Sequence, residues 1–219
     1  MSPLEVARAS PEAVGRHDRE AWLALFTPDA LVQDPVGAPG HPRERLEDFW
    51  QIFIGPNDIA FEVHQDHVDG DWVYRDVTIH TRFPLGARLA VPVHLRYQIE
   101  GDRLRRLHAH WELLGMSLQA TLLGPRAWWD STALSLRMLG RLGLRGTWAY
   151  LGALRSVGSA GKRAAREHAA AQGIALGDKV IAAGDWVTAR VLREGVEGMA
   201  CYRLEGGSVV EERVLWEGR

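Results

Sequence analysis

At 219 residues, with 46% hydrophobic and 25% charged side chains, the chain can fill a core of its own, which excludes disorder as the default. A formal net charge of −2 and a pI near 6.5 exclude a global basic field, so no nucleic-acid partner is expected. The single cysteine, Cys201, excludes an internal disulfide, and with no leader-like start and no apolar run of about eighteen residues the expectation is a cytoplasmic protein without signal peptide or transmembrane segment.

From Pro3 to Phe26 the apolar residues recur at helical spacing, with Ser10-Pro11 and His17-Asp18 as restart points, which predicts two short helices. Ala30 to Asp34 reads as a short strand stopped by Pro35 and Gly37, and Pro42 to Phe53 as a helix with Leu46, Phe49, Trp50 and Phe53 on one side. Four strands are predicted next, over Ala60 to Val68, Trp72 to Phe83, Leu89 to Ile99 and Leu104 to Leu113. Helices first and an antiparallel meander afterwards, without βαβ alternation, argue for an α+β fold with N-terminal helices on one face of a curved sheet.

Leu122 to His168 has no strand-like alternation and reads as a helical insert. Between Arg126 and His168 it carries eight basic residues against two acidic ones, Asp130 and Glu167. Three readings are open for it: a solvated helical face, the ordinary one, a dimer or pseudo-dimer surface, and a membrane-surface contact. Strand signals return at Lys179 to Ala183, Trp186 to Arg193, Met199 to Leu204 and Val209 to Trp216. They look like a shortened copy of the first sheet. Gly-Asp-Trp-Val occurs at 70–73 and at 184–187, and Tyr97-x-x-Glu100-Gly101 followed by Trp111-Glu112 recurs as Tyr202-x-x-Glu205-Gly206 followed by Trp216-Glu217. The stretch between anchors is shorter in the copy, which places a deletion in the hairpin between its second and third strands. The expected organisation is a pocket domain over 1–116, then a helical segment and a truncated second sheet over 117–219, with a homodimer or an internal pseudo-dimer as the matching assembly.

The most specific local pattern is Trp22-Leu-Ala-Leu-Phe26-Thr-Pro-Asp29-Ala-Leu-Val-Gln-Asp34-Pro-Val-Gly37, followed by a helix ending Phe49-Trp50. It resembles the ketosteroid isomerase branch of the SnoaL-like and nuclear transport factor 2-like superfamily. The resemblance spans about residues 4 to 116 in order of elements and is close across Asp18 to Gly37. It implies a cone-shaped α+β pocket domain and a general base at Asp34 that moves a proton between carbons flanking an enol.

The residues make a parallel case. Pro35 forces Asp34 into extended geometry, and alternation with Val32 turns its carboxylate inward, where an apolar cavity would raise its pKa toward useful basicity. Asp-Pro-Val-Gly also reads as a turn whose aspartate caps backbone amides. The candidate substrate-binding residues are Trp22, Phe26, Phe49, Trp50, Leu95 and Trp111, although Trp and Phe at such positions are more often plain core than a ligand box.

In the resembling family the oxyanion is held by a tyrosine and a protonated aspartic acid. Gapless comparison puts the tyrosine on Ser10 and the acid on Leu95, or on His94 in the other register, so that oxyanion hole is expected to be absent. The same comparison turns Tyr74, Asp76, Thr78 and His80 inward as replacement donors, giving Asp34, His80, Tyr74 and Asp76 as the candidate catalytic set. Hydrophobic patterning alone puts Val73, Val77 and Ile79 under the helices and the polar row outside. An inward His80 would supply the acid for dehydration, hydration or cyclisation, whereas an outward one makes ligand binding the stronger account. His64, His67, His108 and His110 are not fixed on one face, so no metal site is expected, and no cofactor. The function expected is a small-molecule isomerase, dehydratase or cyclase acting through Asp34 on a hydrophobic polycyclic, terpenoid- or polyketide-like substrate. The alternative is a non-catalytic hydrophobic-ligand-binding or assembly module of the same fold.

Overall fold

Ser2 opens the first helix: its hydroxyl accepts from the Glu5 amide, and the Glu5 carboxylate takes the Ser2 amide at 2.6 Å, a reciprocal cap. In this computed structural model, which describes residues 1–217, the helix α1 (Pro3–Gly15) runs through Pro11 instead of restarting there. The proline ring keeps a helical φ and removes one backbone donor. Asp18 then caps α2 (Arg19–Ala24) through the Ala21 amide.

Strand β1 (Phe26–Gln33) ends one residue before Asp34, and β2 (His41–Pro42) pairs with it. The expected helix from Pro42 is assembled from a 3-10 turn (Arg43–Arg45), α3 (Leu46–Phe49) and a π-helical turn (Trp50–Ile54). A curved, unclosed sheet follows, built from β3 (Asp58–Asp69), β4 (Trp72–Arg82), β5 (Arg88–Glu100) and β6 (Arg103–His110). Its order is β2-β1-β6-β5-β4-β3, with β1 parallel to β6 and the other pairs antiparallel. The last strand stops short of the predicted Leu113, because Leu113 is buried as the first residue of α4 (Leu113–Leu122). Then come α5 (Pro125–Leu151), kinked at Gly143, and α6 (Gly158–Ala171).

The remaining strands, β7 (Ala175–Ala183), β8 (Trp186–Arg193), β9 (Val196–Glu205) and β10 (Ser208–Trp216), form a separate antiparallel sheet in the order β10-β9-β8-β7. It lies back to back on the first sheet. Tyr74, Met199, Cys201 and Leu215 form one buried cluster there, flanked by Trp72 and Trp186. The guanidinium of Arg96 sits between the rings of Trp72, Tyr74 and Trp186 at 5.1, 5.3 and 4.6 Å. The opposite faces carry the helices: α1 covers the first sheet, and α6 packs Ala165 and Ala169 onto Val180, Val187 and Tyr202 of the second.

Two matched pairs of positions have the same cross-strand register. Val73 faces Tyr97 across the first sheet and Val187 faces Tyr202 across the second. The amide of Ile99 donates to the Asp71 carbonyl at 2.7 Å, and that of Leu204 to the Asp185 carbonyl at 2.8 Å.

Candidate functional site

Between α1, α2, the α3 region and the concave face of the first sheet lies a cavity of about 160 Å³, lined on one side by Met116 of α4 and by Leu134 and Tyr150 of α5. Most of its wall is aliphatic or aromatic. Because β1 and β6 run parallel, with Gln33 opposite His108, the residues just beyond their ends meet at one edge of the sheet. Asp34 and Trp111 are those residues. Trp111 Nε1 donates to Asp34 Oδ1 at 2.5 Å, fixing the carboxylate on the cavity wall. The Asp34–Pro35 peptide is cis.

Burial raises the Asp34 carboxyl from 3.8 to about 6, and the Trp111 bond partly opposes that rise. Two phenols share its cavity. Burial pushes Tyr97 up to about 12 and holds Tyr150 well above its ordinary value, and the Asp34 charge raises both further. They therefore stay protonated donors beside an ionisable carboxylate. Tyr150 stacks on Phe53 with ring centroids 5.3 Å apart. Ser10, where gapless comparison puts the family tyrosine, is buried on the wall and accepts from Trp22 Nε1 at 3.1 Å.

Of the substrate-binding residues read from sequence, Trp22, Phe49, Leu95 and Trp111 line the cavity. Phe26 and Trp50 sit in the core against Trp22, at ring-centroid distances of 4.7 and 5.5 Å. Leu95 and Tyr97 face inward together, and His94 faces the second sheet, where its Nδ1 meets Thr188 Oγ1 at 2.7 Å.

The polar row of β4 does not join Asp34. Val73 and Val77 bury with the helices and Ile79 lines the cavity, so strand alternation turns Tyr74, Asp76, Thr78 and His80 to the other face. His80 is exposed and bonded to Glu62 at 2.9 Å. Tyr74 is buried between the sheets with Met199 and Cys201. Asp76, 1% exposed, is held there by Lys179 Nζ and Arg190 Nε, with His94 Nε2 at 3.7 Å. Gapless comparison reversed this strand, and its apolar face reads the orientation correctly. Tyr97 and Tyr150 were not nominated from sequence. Alternation with Leu95 was enough to find Tyr97, whereas only the packing of α5 over the cavity brings in Tyr150.

This pocket architecture has a family. The model of the SnoaL-like domain matches residues 7–107. Residues 7–107 are a SnoaL-like domain. Three solved structures resemble it. A computationally designed 17-OHP binder is 22% identical, with 53% of this chain covering 97% of that one at a TM-score of 0.50. RV0760c from Mycobacterium tuberculosis, in complex with estradiol-17β-hemisuccinate, is 24% identical, covering 53% and 98% at 0.50. The Δ5-3-ketosteroid isomerase from Mycobacterium sp. is 25% identical, covering 52% and 95% at 0.49. The sequence matches no curated protein. The first two likenesses establish that the SnoaL-like domain has the fold of these pocket proteins. Among the described residues, no helix is long and apolar enough to cross a membrane.

Proposed function

We propose that the SnoaL-like domain is a cofactor-independent small-molecule enzyme in which Asp34 transfers a proton on a hydrophobic polycyclic, terpenoid- or polyketide-like ketone. A C–H bond beside the carbonyl breaks as an Asp34 O–H bond forms, and the electron pair moves onto the carbonyl oxygen. Asp34 then returns the proton to a carbon of the resulting enolate. The observation that carries this reading is a single carboxylate, raised to about 6 and pinned by Trp111, on the wall of an apolar cavity. At neutral pH most of it is ionised, yet its basicity is well above that of an exposed aspartate. Tyr97 and Tyr150 are the donors on hand for the enolate oxygen.

With His80 outside, the acid needed to expel hydroxide is missing from the nominated set, so dehydration and hydration lose their support. That loss also strengthens a second reading, hydrophobic-ligand binding without turnover, which the largely apolar wall favours. The two phenols are the reason for ranking isomerisation first, since a one-base isomerase needs only donors to an enolate. The steroids named with two structures of this fold suit the proposed ligand class. A structure with a polycyclic ketone bound tests the choice. An α-carbon within about 3.5 Å of an Asp34 oxygen supports catalysis, and a carbonyl turned away from Asp34 and both tyrosines supports binding alone.

We propose further that 117–219 is a helical segment plus a partial second repeat that packs as an internal pseudo-dimer. The paired registers of Val73 with Tyr97 and Val187 with Tyr202 support it. A cytoplasmic setting fits the single buried thiol, Cys201.

A further inference from the structure

We propose that the outer face of α4 and α5 docks onto an anionic lipid surface. The inner faces of these helices are accounted for: Leu113, Met138 and Tyr150 are buried with Ile52 and Ala38, and Met116, Leu134 and Tyr150 line the cavity. Among the described residues the apolar side chains of the outer faces stay exposed, Trp128 giving only its indole N–H to the Thr121 carbonyl at 3.0 Å. Leu114, Leu118 and Leu122 follow at four-residue steps along α4, and Leu122 is 87% exposed. On α5, Trp128 and Trp129 at 56% and 66% exposure lead to Leu136 and Leu139. Beyond the kink Leu144, Trp148 at 72%, and Leu151 repeat the pattern at i, i+4 and i+7. A surface this apolar is more than scattered exposure.

Charge identifies the occupant. Residues 113–157 contain Arg126, Arg137, Arg141, Arg145 and Arg155 and one acidic residue, Asp130. Asp130 is buried, its carboxylate taken by the amides of Leu85 and Ala87, so it offsets nothing at the surface. Arg141 is paired with Asp48 and the Arg137 guanidinium is largely buried, which leaves Arg126, Arg145 and Arg155 exposed without an ion pair among the described residues. The rest of the chain is acidic enough to leave the whole at −2, so this basic charge is local. A second copy docked through the same face would bring two net-basic faces together, whereas anionic headgroups neutralise them. Tryptophan and leucine with flanking arginine is the composition that settles at a headgroup boundary without crossing it. The inference stands whether Asp34 catalyses or the cavity only binds.

The test uses the full chain, sedimented with vesicles of phosphatidylcholine alone or with added phosphatidylglycerol. The expected result is co-sedimentation with the phosphatidylglycerol vesicles only, with a blue shift in tryptophan emission. Binding should fall at least about tenfold in high salt and in W128Q/W129Q/W148Q at unchanged melting temperature. Should that variant fold poorly, R126E/R145E/R155E, which leaves the apolar stripe intact, should lose binding to the same extent. Failure to sediment with either vesicle, equal binding to neutral vesicles, or binding untouched by the folded variants overturns the proposal. So does a dimer in light scattering that the tryptophan variant dissociates, because the face would then belong to a second copy.

Discussion

Trp111 Nε1 donates a 2.5 Å hydrogen bond to Oδ1 of Asp34, joining the residue after the end of β1 to the residue after the end of β6. The bond sets the carboxylate's direction and moderates its basicity, because it favours the ionised form that burial disfavours.

Trp111→Phe keeps an aromatic wall and removes that donor. The Asp34 carboxyl should then titrate above its present value of about 6, moving the acid limb of the kcat/KM–pH profile upward. A carboxyl ¹³C titration of both proteins checks it, and an unmoved midpoint would mean that the bond has no part in tuning the base.

Asp34→Asn should leave the fold as stable or more stable at neutral pH. The folded carboxyl is raised from 3.8 to about 6, so the folded state binds this proton more tightly than the unfolded chain does. The stability it contributes is full below about pH 4 and is lost as pH rises through about 6, a cost of ~1–3 kcal/mol at pH 7 that asparagine avoids. Denaturant titrations at pH 4 and pH 7 measure it. A loss of about 1 kcal/mol at pH 7 would instead identify a turn cap.

Much of this was legible in the chain. Alternation gave the strands and the inward face of β5, and Pro35 with Val32 gave Asp34 its place. The far side of the first sheet was not legible, because Asp76 and His94 look solvent-facing until a second sheet supplies Lys179, Arg190 and Thr188 to satisfy them, and Tyr74 until Met199 and Cys201 cover it. Tyr150 was hidden for the same reason: nothing local to α5 says which wall it will join.

Tyr97→Phe and Tyr150→Phe each remove one hydroxyl from the cavity and nothing from its shape. Either should lower kcat by about 10- to 10²-fold with KM little changed, and the double variant further, if both phenols serve the enolate oxygen. Steady-state kinetics at pH 7 separate this from a packing role, which would appear in the melting temperature.

Asp76→Ala strips the partner from Lys179 and Arg190 in the seam between the sheets. The two cations left there, one of them largely buried, should cost about 3 kcal/mol in chemical denaturation, while Asp34 and its cavity wall stay in place.

The most direct test of Asp34 as a proton-transfer base is deuterium exchange from D₂O into the α-positions of polycyclic ketones, followed by mass spectrometry, with binding measured in parallel by tryptophan quenching. The account predicts that wild-type protein catalyses exchange and that Asp34→Asn binds the same ketones while exchanging them at least about 10³-fold more slowly. Ketones that bind both proteins equally, with exchange absent in both or unchanged by the substitution, would contradict it.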